Sequence, residues 1–212
     1  MAYYLQFDGV NDYVSIPAVT ASTFTTGCNA YVEVRFVVRS TASSTIRPFC
    51  RDATSTSGTS PAAIADRIII DTDGTKIRFS AGNSGSSSTL VQWINPFSSS
   101  LTVGQDVTIR IETDFGTSFK RLYINGVDKG LSNTGTNFQS IGRYASIGGN
   151  FGVYAQIDLY HFEYVDRLNT SNNRYYDPTL SGGTGSTLPE STSSTNDGTL
   201  INFPTDDSQW GF

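Results

Sequence analysis

Side chains that could carry out catalysis are few in this chain of 212 residues. His161 is the only histidine, so a single chain cannot supply the two histidines of a common zinc motif, and no obvious base is available for a nucleophile. On a strand, the spacing of His161 and Glu163 would place both side chains on the same face. We therefore expect His161 to be a solvent-facing or interface residue.

A short acidic motif raises the question of a calcium loop. Asp71-Thr72-Asp73-Gly74 resembles the start of such a loop, but Gly82 stands at the twelfth position, where an acidic residue is needed. Asp-Gly also tolerates the positive φ angles of a tight hairpin, and apolar segments stand on both sides of it. The motif therefore predicts a hairpin turn.

Residues suited to sugar binding occur in two segments. Sugars offer an apolar face and a rim of hydroxyl groups, so their sites combine aromatic rings with amide and carboxylate side chains. Trp93 with Asn95 forms one such group, and Tyr144, Asn150 and Tyr154, around a glycine-rich turn, form the other. These five residues are the candidates for carbohydrate binding. The alternative for the aromatic rings is that they fill the protein core.

The elements that must position these residues are predicted to be β-strands. In residues 31–39, apolar side chains alternate with charged ones, and similar alternation occurs at 107–112 and 119–124. Asp73-Gly74 and Asn125-Gly126 are typical of the tight turns that join antiparallel strands. The pattern predicts an all-β, antiparallel fold, and the chain length suits a single domain of this class.

Charge and hydropathy exclude two classes of partner. The formal net charge is -5, the isoelectric point is about 4.7, and no run of lysine or arginine could neutralise a line of phosphates. The longest apolar segments, such as 31–38, alternate with charges and are shorter than the roughly 20 apolar residues of a membrane helix. We expect neither a nucleic acid nor a membrane as a partner.

Four segments, in this order along residues 3–167, resemble the laminin G-like, concanavalin A-like lectin family. They are residues 5–17, 121–127, 146–150 and 157–164. The resemblance implies an antiparallel two-sheet jelly-roll β-sandwich. In that fold the first strand would pair with the last, and Gly148-Gly149 would let two backbones pass closely. One face of the last strand would carry Asp158, Tyr160, Phe162 and Tyr164.

The resemblance also bears on catalysis. Glucanases related to this fold place three acidic residues along one strand as nucleophile, helper and general acid. Glu112 and Asp114 match the first two, but Gly116 or Thr117 stands at the third position. We therefore predict that the protein is not an enzyme.

Calcium is implied by the resemblance as well, because many members of the family bind it. The candidate ligands are Asp8, Asp12 and Asp158. For Asp8 and Asp12 the alternative is a turn-forming role around Gly9 and Asn11.

We predict a sandwich domain over residues 1–178 and a C-terminal segment over 179–212. Serine, glycine and threonine dominate 181–199, which leaves almost nothing there to bury. Apolar residues return after this arm, so we expect the tail to dock on the domain or on a neighbouring subunit of a homo-oligomer. The residues expected to dock are Leu200, Ile201, Phe203, Trp210 and Phe212.

The C-terminal stretch resembles the tails of laminin G-like proteins encoded in bacteriophage and bacterial genomes, and the N-terminus carries no secretion signal. These features predict a non-enzymatic virion surface protein, made in the host cytoplasm, that decorates a capsid or is associated with a tail. Its expected partners are phage shell or tail proteins and cell-surface polysaccharide. A bacterial carbohydrate-binding module or adhesin is the first alternative, and a divergent glycosidase is the second.

Overall fold

The computed structural model describes residues 3–17, 29–52, 64–81, 89–114, 120–131, 144–150, 153–167 and 170–212. Within these ranges the chain forms 18 β-strands and three short 3-10 helices. Two large antiparallel sheets pack around one hydrophobic core. The predicted all-β, two-sheet antiparallel sandwich is confirmed. In the described part of the chain, no helix is long and apolar enough to cross a membrane.

Sheet A has eight strands and carries both the longest strands and the surface discussed below. Its spatial order is β10 (Val127–Leu131), β9 (Lys120–Ile124), β8 (Asp106–Asp114), β3 (Asn29–Val38), β14 (Ile157–Asp166), β1 (Tyr4–Gln6) and β18 (Trp210–Gly211). The eighth strand, β15 (Arg174–Tyr176), also pairs with β14.

Sheet B also has eight strands. Its spatial order is β16 (Thr187–Leu188), β17 (Gly198–Ile201), β2 (Tyr13–Ile16), β11 (Tyr144–Ile147), β4 (Thr45–Asp52), β5 (Ile64–Asp71), β6 (Lys76–Ala81) and β7 (Thr89–Ile94). A separate two-stranded sheet is formed by β12 (Gly149–Asn150) and β13 (Val153–Tyr154).

The alternating strands supply the core between the two sheets. In β3 the buried positions are Val32, Val34, Phe36 and Val38, and the residues between them face outward. Neighbouring β8 and β9 follow the same rule, with Ile109, Ile111 and Leu122 buried. The alternation predicted at 31–39 is therefore confirmed, and it leaves a polar outer face on sheet A.

Strand β14 departs from simple alternation. Its pairing with β3 shifts by one residue after Leu159, and Tyr160 is the extra residue of a β-bulge. Asp158 and Tyr160 are half-buried on the outer face, whereas Phe162 and Tyr164 are buried in the core. The prediction that one face carries all four residues is wrong, because the bulge shifts the phase of the strand by one residue.

The first and last parts of the sandwich meet as the resemblance implied. Strand β1 pairs with β14, with Leu5 opposite Leu159. Gly148 has a φ of 88°, and a Cβ atom at this position would overlap the ring of Phe7. The close neighbour of Gly148 is thus a side-chain ring, where the resemblance implied a second backbone, and this contact brings the end of β11 against the start of the chain.

The C-terminal segment extends both sheets of the same chain. Strand β17 pairs with β2, and β18 pairs with β1, so that Trp210 lies opposite Leu5. Phe203 packs on Phe7, with ring centroids 5.0 Å apart. Of the other residues expected to dock, Leu200 and Ile201 are half-buried, whereas Phe212 is 79% exposed.

The serine-rich arm is also more buried than its composition suggests. Strand β16 pairs with β17 and carries Leu188 into the core, and Glu190 is 5% exposed. The prediction that 181–199 has almost nothing to bury is wrong at these two positions. Both positions are buried because β17 provides the edge on which β16 pairs, so that the arm lies against the sandwich.

Candidate functional site

A row of polar and aromatic side chains crosses the outer face of sheet A. Each member lies opposite the next one on the neighbouring strand, from β15 through β14, β3 and β8 to β9. The members of this cross-strand row are, in order, Tyr175, Glu163, Glu33, Arg110 and Tyr123. All five are half-buried. Four strand spacings of ~4.8 Å give the row a length of about 19 Å.

Arg110 is fixed at the centre of this face by several partners. Its Nη2 and Nε donate to Oε1 of Glu112 at 2.8 Å and 3.1 Å, and its Nη1 lies 3.9 Å from Oε2 of Glu33. Its guanidinium also lies 3.7 Å from the ring centroid of Tyr31. Arg167 reaches the same Glu112 oxygen at 3.3 Å. These contacts fix the orientation of the Arg110 guanidinium and of the Glu112 carboxylate.

A groove of about 320 Å³ opens beside Arg110. Its lining residues are Glu33, Thr108, Arg110, Glu112, Tyr123 and Gly126. The volume lies at the lower end of the range typical of small-ligand sites. Carboxylate acceptors, a guanidinium donor and a tyrosine ring therefore line one concave surface.

The two carboxyl groups of the row differ in their electrostatic environment. Burial raises the pKa of Glu33, and the nearby negative charge of Glu163 adds to this effect. Burial acts in the same direction on Glu163, but hydrogen bonds from His161 and Tyr31 outweigh it, so the pKa of Glu163 is lowered. Burial raises the pKa of Tyr31 to about 12, with a further contribution from Glu163. Tyr31 thus keeps its proton and donates to an ionised Glu163.

One cluster in the described part of the chain has three side chains close enough to share a metal ion. It consists of Glu33, His161 and Glu163. The three calcium candidates are arranged differently: Asp12 Oδ2 accepts the backbone N–H of Asp8 at 3.0 Å, and Asp158 pairs with Arg39 at 3.1 Å.

Asp8 has the turn-forming role that was its alternative. Its Oδ1 accepts the backbone N–H of Val10 at 2.7 Å and lies 3.4 Å from that of Asn11.

The first pair of residues predicted to bind sugar lies at the edge strand of sheet B. Trp93 is 5% exposed, belongs to the core, and donates its indole N–H to the carbonyl of Gly130 at 3.2 Å. Asn95 is exposed in a turn, with a φ of 49°. The buried ring of Trp93 offers little surface to a sugar, and its position agrees with the core-filling alternative.

The second predicted group lies elsewhere on the molecule. Tyr154 is half-buried and close enough to Tyr13 to act on its pKa, which burial chiefly raises. The side chains of Tyr144 and Asn150 lie outside the described part. Tyr144 lies on β11, which β4, β5 and β6 separate from β7 by about 19 Å across sheet B, whereas Asn150 and Tyr154 belong to the separate two-stranded sheet.

None of the five residues of the cross-strand row was among the sugar-binding candidates. Glu33, Arg110 and Tyr123 occupy outward positions in segments whose alternation was recognised only as a sign of strands. Listing the outward side chains of those segments would have identified three members of the row. The opposition of Glu33 and Glu163 depends on a register between distant parts of the chain, which alternation does not specify.

Comparison with known proteins supports the fold. No protein-family model matches the chain, and no curated protein is similar to it in sequence. Among solved structures, a "putative carbohydrate binding protein" from Bacteroides ovatus is 12% identical, with a TM-score of 0.59 over 95% of this chain and 58% of that one. Domains LG4-5 of the mouse laminin alpha1 chain are 12% identical, with a TM-score of 0.53 over 81% of this chain and 43% of theirs.

These two structures show a lectin-like jelly roll. The resemblance to laminin G-like and concanavalin A-like proteins is therefore confirmed for the fold. The chain spans 58% of the Bacteroides ovatus protein and 43% of the laminin fragment, so neither likeness extends over the whole of the other chain.

Proposed function

We propose that the protein is a non-catalytic carbohydrate-binding module that binds a glycan along the cross-strand row. The row itself is the observation that carries the proposal. Tyr123 and Tyr175 lie at its two ends and offer ring faces to the apolar faces of sugars. Glu33, Glu163 and Arg110 lie between them and match the hydroxyl rim of a glycan with acceptors and donors.

The charge of the row favours a neutral polysaccharide over a polyanion. Two carboxylates face one guanidinium, and Arg110 is already engaged with Glu112 and Glu33. A sulfated or carboxylated chain would meet uncompensated negative charge. The likeness to a Bacteroides ovatus protein named for carbohydrate binding supports the same class of ligand.

The test is a panel of neutral polysaccharides, with heparin as the polyanion, that measures both retention of the protein and newly released reducing ends. We expect retention by at least one neutral polysaccharide and no cleavage. Retention by heparin alone, or by nothing in the panel, would contradict the proposal. New reducing ends would instead support the glycosidase alternative.

Substitution of the terminal tyrosines tests the location of the site. We expect Tyr123→Ala and Tyr175→Ala each to weaken binding by tenfold or more, which corresponds to about 1.4 kcal/mol. Gln92→Ala, an exposed position on β7 of sheet B, is the matched control and should bind like the unaltered protein. Equal binding by all three variants would place the site away from the row.

The biological setting remains a prediction. A virion surface protein and a bacterial carbohydrate-binding module or adhesin would use the same row in the same way. The virion setting rests on the resemblance of the C-terminal stretch to phage-encoded proteins, whereas the bacterial alternative is supported by the likeness to the Bacteroides ovatus protein. Electron microscopy of particles from a producing strain, with antibody against this chain, would test the virion setting.

A further inference from the structure

The middle of the cross-strand row holds a histidine beside two glutamates. Glu33 on β3 lies directly opposite Glu163 on β14, and His161 lies two residues before Glu163 on the same face. One ligand atom from each of the three side chains lies within 4.8 Å of the other two. His161 Nε2 and Glu163 Oε2 are 3.7 Å apart.

The position of His161 depends on the bulge in β14. Tyr160 is the unpaired extra residue, so His161 faces outward together with Glu163. Without the extra residue, strict alternation from the buried Leu159 would point His161 into the core. The bulge therefore brings an imidazole to a place on this face where two carboxyl groups meet.

The backbone beneath the cluster is well supported. Strand β3 is paired along its length with both β14 and β8, and β14 is in turn flanked by β1 and β15. Ligand groups on central, fully paired strands are held more precisely than groups on loops. The three side chains themselves are half-buried, which leaves the cluster accessible from solvent.

The donor set favours zinc over calcium or magnesium. An imidazole nitrogen with carboxylate oxygens suits Zn²⁺, whereas Ca²⁺ and Mg²⁺ prefer oxygen ligands alone. Tetrahedral Zn²⁺ would bring its ligand atoms to roughly 3.3 Å from one another, so each side chain needs to move by only about 1 Å. A cation between Glu33 and Glu163 would also relieve their mutual repulsion, while Arg110 keeps its closer partner Glu112.

We propose that Glu33, His161 and Glu163 form a binding site for a divalent zinc-class metal ion, with three protein ligands and at least one open coordination position. Glu33 and Glu163 also belong to the cross-strand row, but the metal proposal is argued from the geometry of the three side chains and does not depend on glycan binding.

The experiment is isothermal titration of the 212-residue chain, freed of metal by dialysis against a chelator, with ZnCl₂ and in parallel with CaCl₂ and MgCl₂. No glycan is present, so the result is independent of the proposed carbohydrate site. We expect saturable binding of one Zn²⁺ per chain, and binding of Ca²⁺ and Mg²⁺ at least tenfold weaker. Absence of saturable Zn²⁺ binding, or equal affinity for Ca²⁺, would overturn the proposal.

Three variants and a control locate the ion. His161→Gln, Glu33→Gln and Glu163→Gln should each lower Zn²⁺ affinity by tenfold or more. Asp128→Asn on β10 removes the same charge from the same sheet without touching the cluster, and should bind like the unaltered protein. Zn²⁺ binding by His161→Gln as tight as that of the unaltered chain would overturn the assignment.

Two further measurements distinguish the loss of a metal ligand from a loss of folding in the variants. Near-ultraviolet circular dichroism without metal should be the same for all four variants and the unaltered protein. Substitution of Co²⁺ for Zn²⁺ should produce visible absorption bands that disappear in His161→Gln. Co²⁺ bands that persist in that folded variant would contradict the proposal.

Discussion

Glu190 is a buried acid whose hydrogen bonds hold the C-terminal arm. Its Oε1 accepts the backbone N–H of Tyr175 at 2.9 Å, and its Oε2 accepts from the backbone and hydroxyl of Thr192 and from the backbone of Ser193 at 2.7–3.0 Å. Four donors thus converge on one carboxylate. These side-chain bonds add to the backbone bridge between Glu190 and Tyr176 and to the bond from the Ser191 N–H to the carbonyl of Tyr175.

Removal of this carboxylate should destabilise the protein. We expect Glu190→Ala to lower the free energy of unfolding by about 3 kcal/mol, because buried backbone donors would lose their acceptor. Urea unfolding followed by circular dichroism measures the change. Asp206→Asn is the control, since Asp206 accepts from Ser208 in an exposed turn, and it should shift the midpoint far less. Equal shifts in both variants would contradict this role for Glu190.

Asp12 should make stability depend on pH. It is 2% exposed, and burial raises the pKa of its carboxyl group from 3.8 to about 6. The folded chain therefore binds this proton more tightly than the unfolded chain does. The resulting stabilisation is complete below about pH 4 and is lost as the pH rises through 6.

The size of this effect should be on the order of 1–2 kcal/mol between pH 7.5 and pH 4.5. Asp12→Asn should remove it, so the difference in unfolding free energy between the variant and the unaltered protein should change across this range. Urea unfolding at several pH values provides the measurement. A constant difference at every pH would show that Asp12 is not the titrating group.

At the scale of the elements, the passage of β11 past the start of the chain depends on Gly148. Its φ of 88° lies in the left-handed region, and the ring of Phe7 occupies the space that a Cβ atom would need. Gly130 has a similar φ of 92°, but nothing lies near its Cβ position. Substitutions at these two glycines therefore distinguish the cost of backbone strain from the cost of steric overlap.

Alanine at these two glycines should have unequal effects. We expect Gly130→Ala to cost about 1–2 kcal/mol through backbone strain alone. Gly148→Ala should cost about 3 kcal/mol or more, because strain and overlap with Phe7 add together. Thermal and urea unfolding of both variants give the comparison. A smaller loss for Gly148→Ala than for Gly130→Ala would refute the overlap.

The strands differ in how far their sequences predict them. Strand β3 was predictable because its inward positions are all apolar, whereas Glu33 and Arg35 mark the outward face. Strand β14 was predictable as a strand, but the sequence did not show which of its side chains point outward. The extra residue of the bulge, Tyr160, is an aromatic residue like Tyr164 and Phe162, so nothing in its type marks the shift. Strands β16 and β17 are too short to show a period of two, and they are placed by pairing, β17 with β2 and β16 with β17.

At the scale of the whole molecule, the sequence also predicts only part of the candidate site. The row combines five strands that are dispersed from Glu33 to Tyr175, and only the fold brings them into register. Local patterns predicted outward positions on single strands, which is as much as a period of two can specify. The order of strands in a sheet arises from long-range pairing, so the row itself could not be read from the sequence.

Removal of residues 181–212 should unfold the sandwich as well as change its assembly. The deletion removes β16, β17 and β18, and it exposes the edges of β1 and β2 together with the core around Phe7. We expect a much lower melting temperature or loss of a cooperative transition. Phe212→Ala, at an exposed terminal position, is the control and should melt like the unaltered protein.

Light scattering on the same samples tests the predicted homo-oligomer. An intact chain that is larger than a monomer, with an unchanged assembly state in Phe212→Ala, would support an interface away from this residue. An intact chain that is monomeric would contradict the prediction of a homo-oligomer. A deletion variant that stays folded and changes only in assembly would show that the tail serves a neighbouring subunit rather than its own core.

The pairing of Leu5 with Trp210 has a consequence for biosynthesis. Strands β1 and β2 are made well before β14, β17 and β18, which pair with them. The pairs that β1 and β2 make with these strands therefore form only after residues 157–211 have been made, and those edges of the early strands stay unpaired until then. Folding dominated by such distant contacts is slow. We expect the serine, threonine and acidic side chains of the chain to favour the solubility of the nascent polypeptide during this interval.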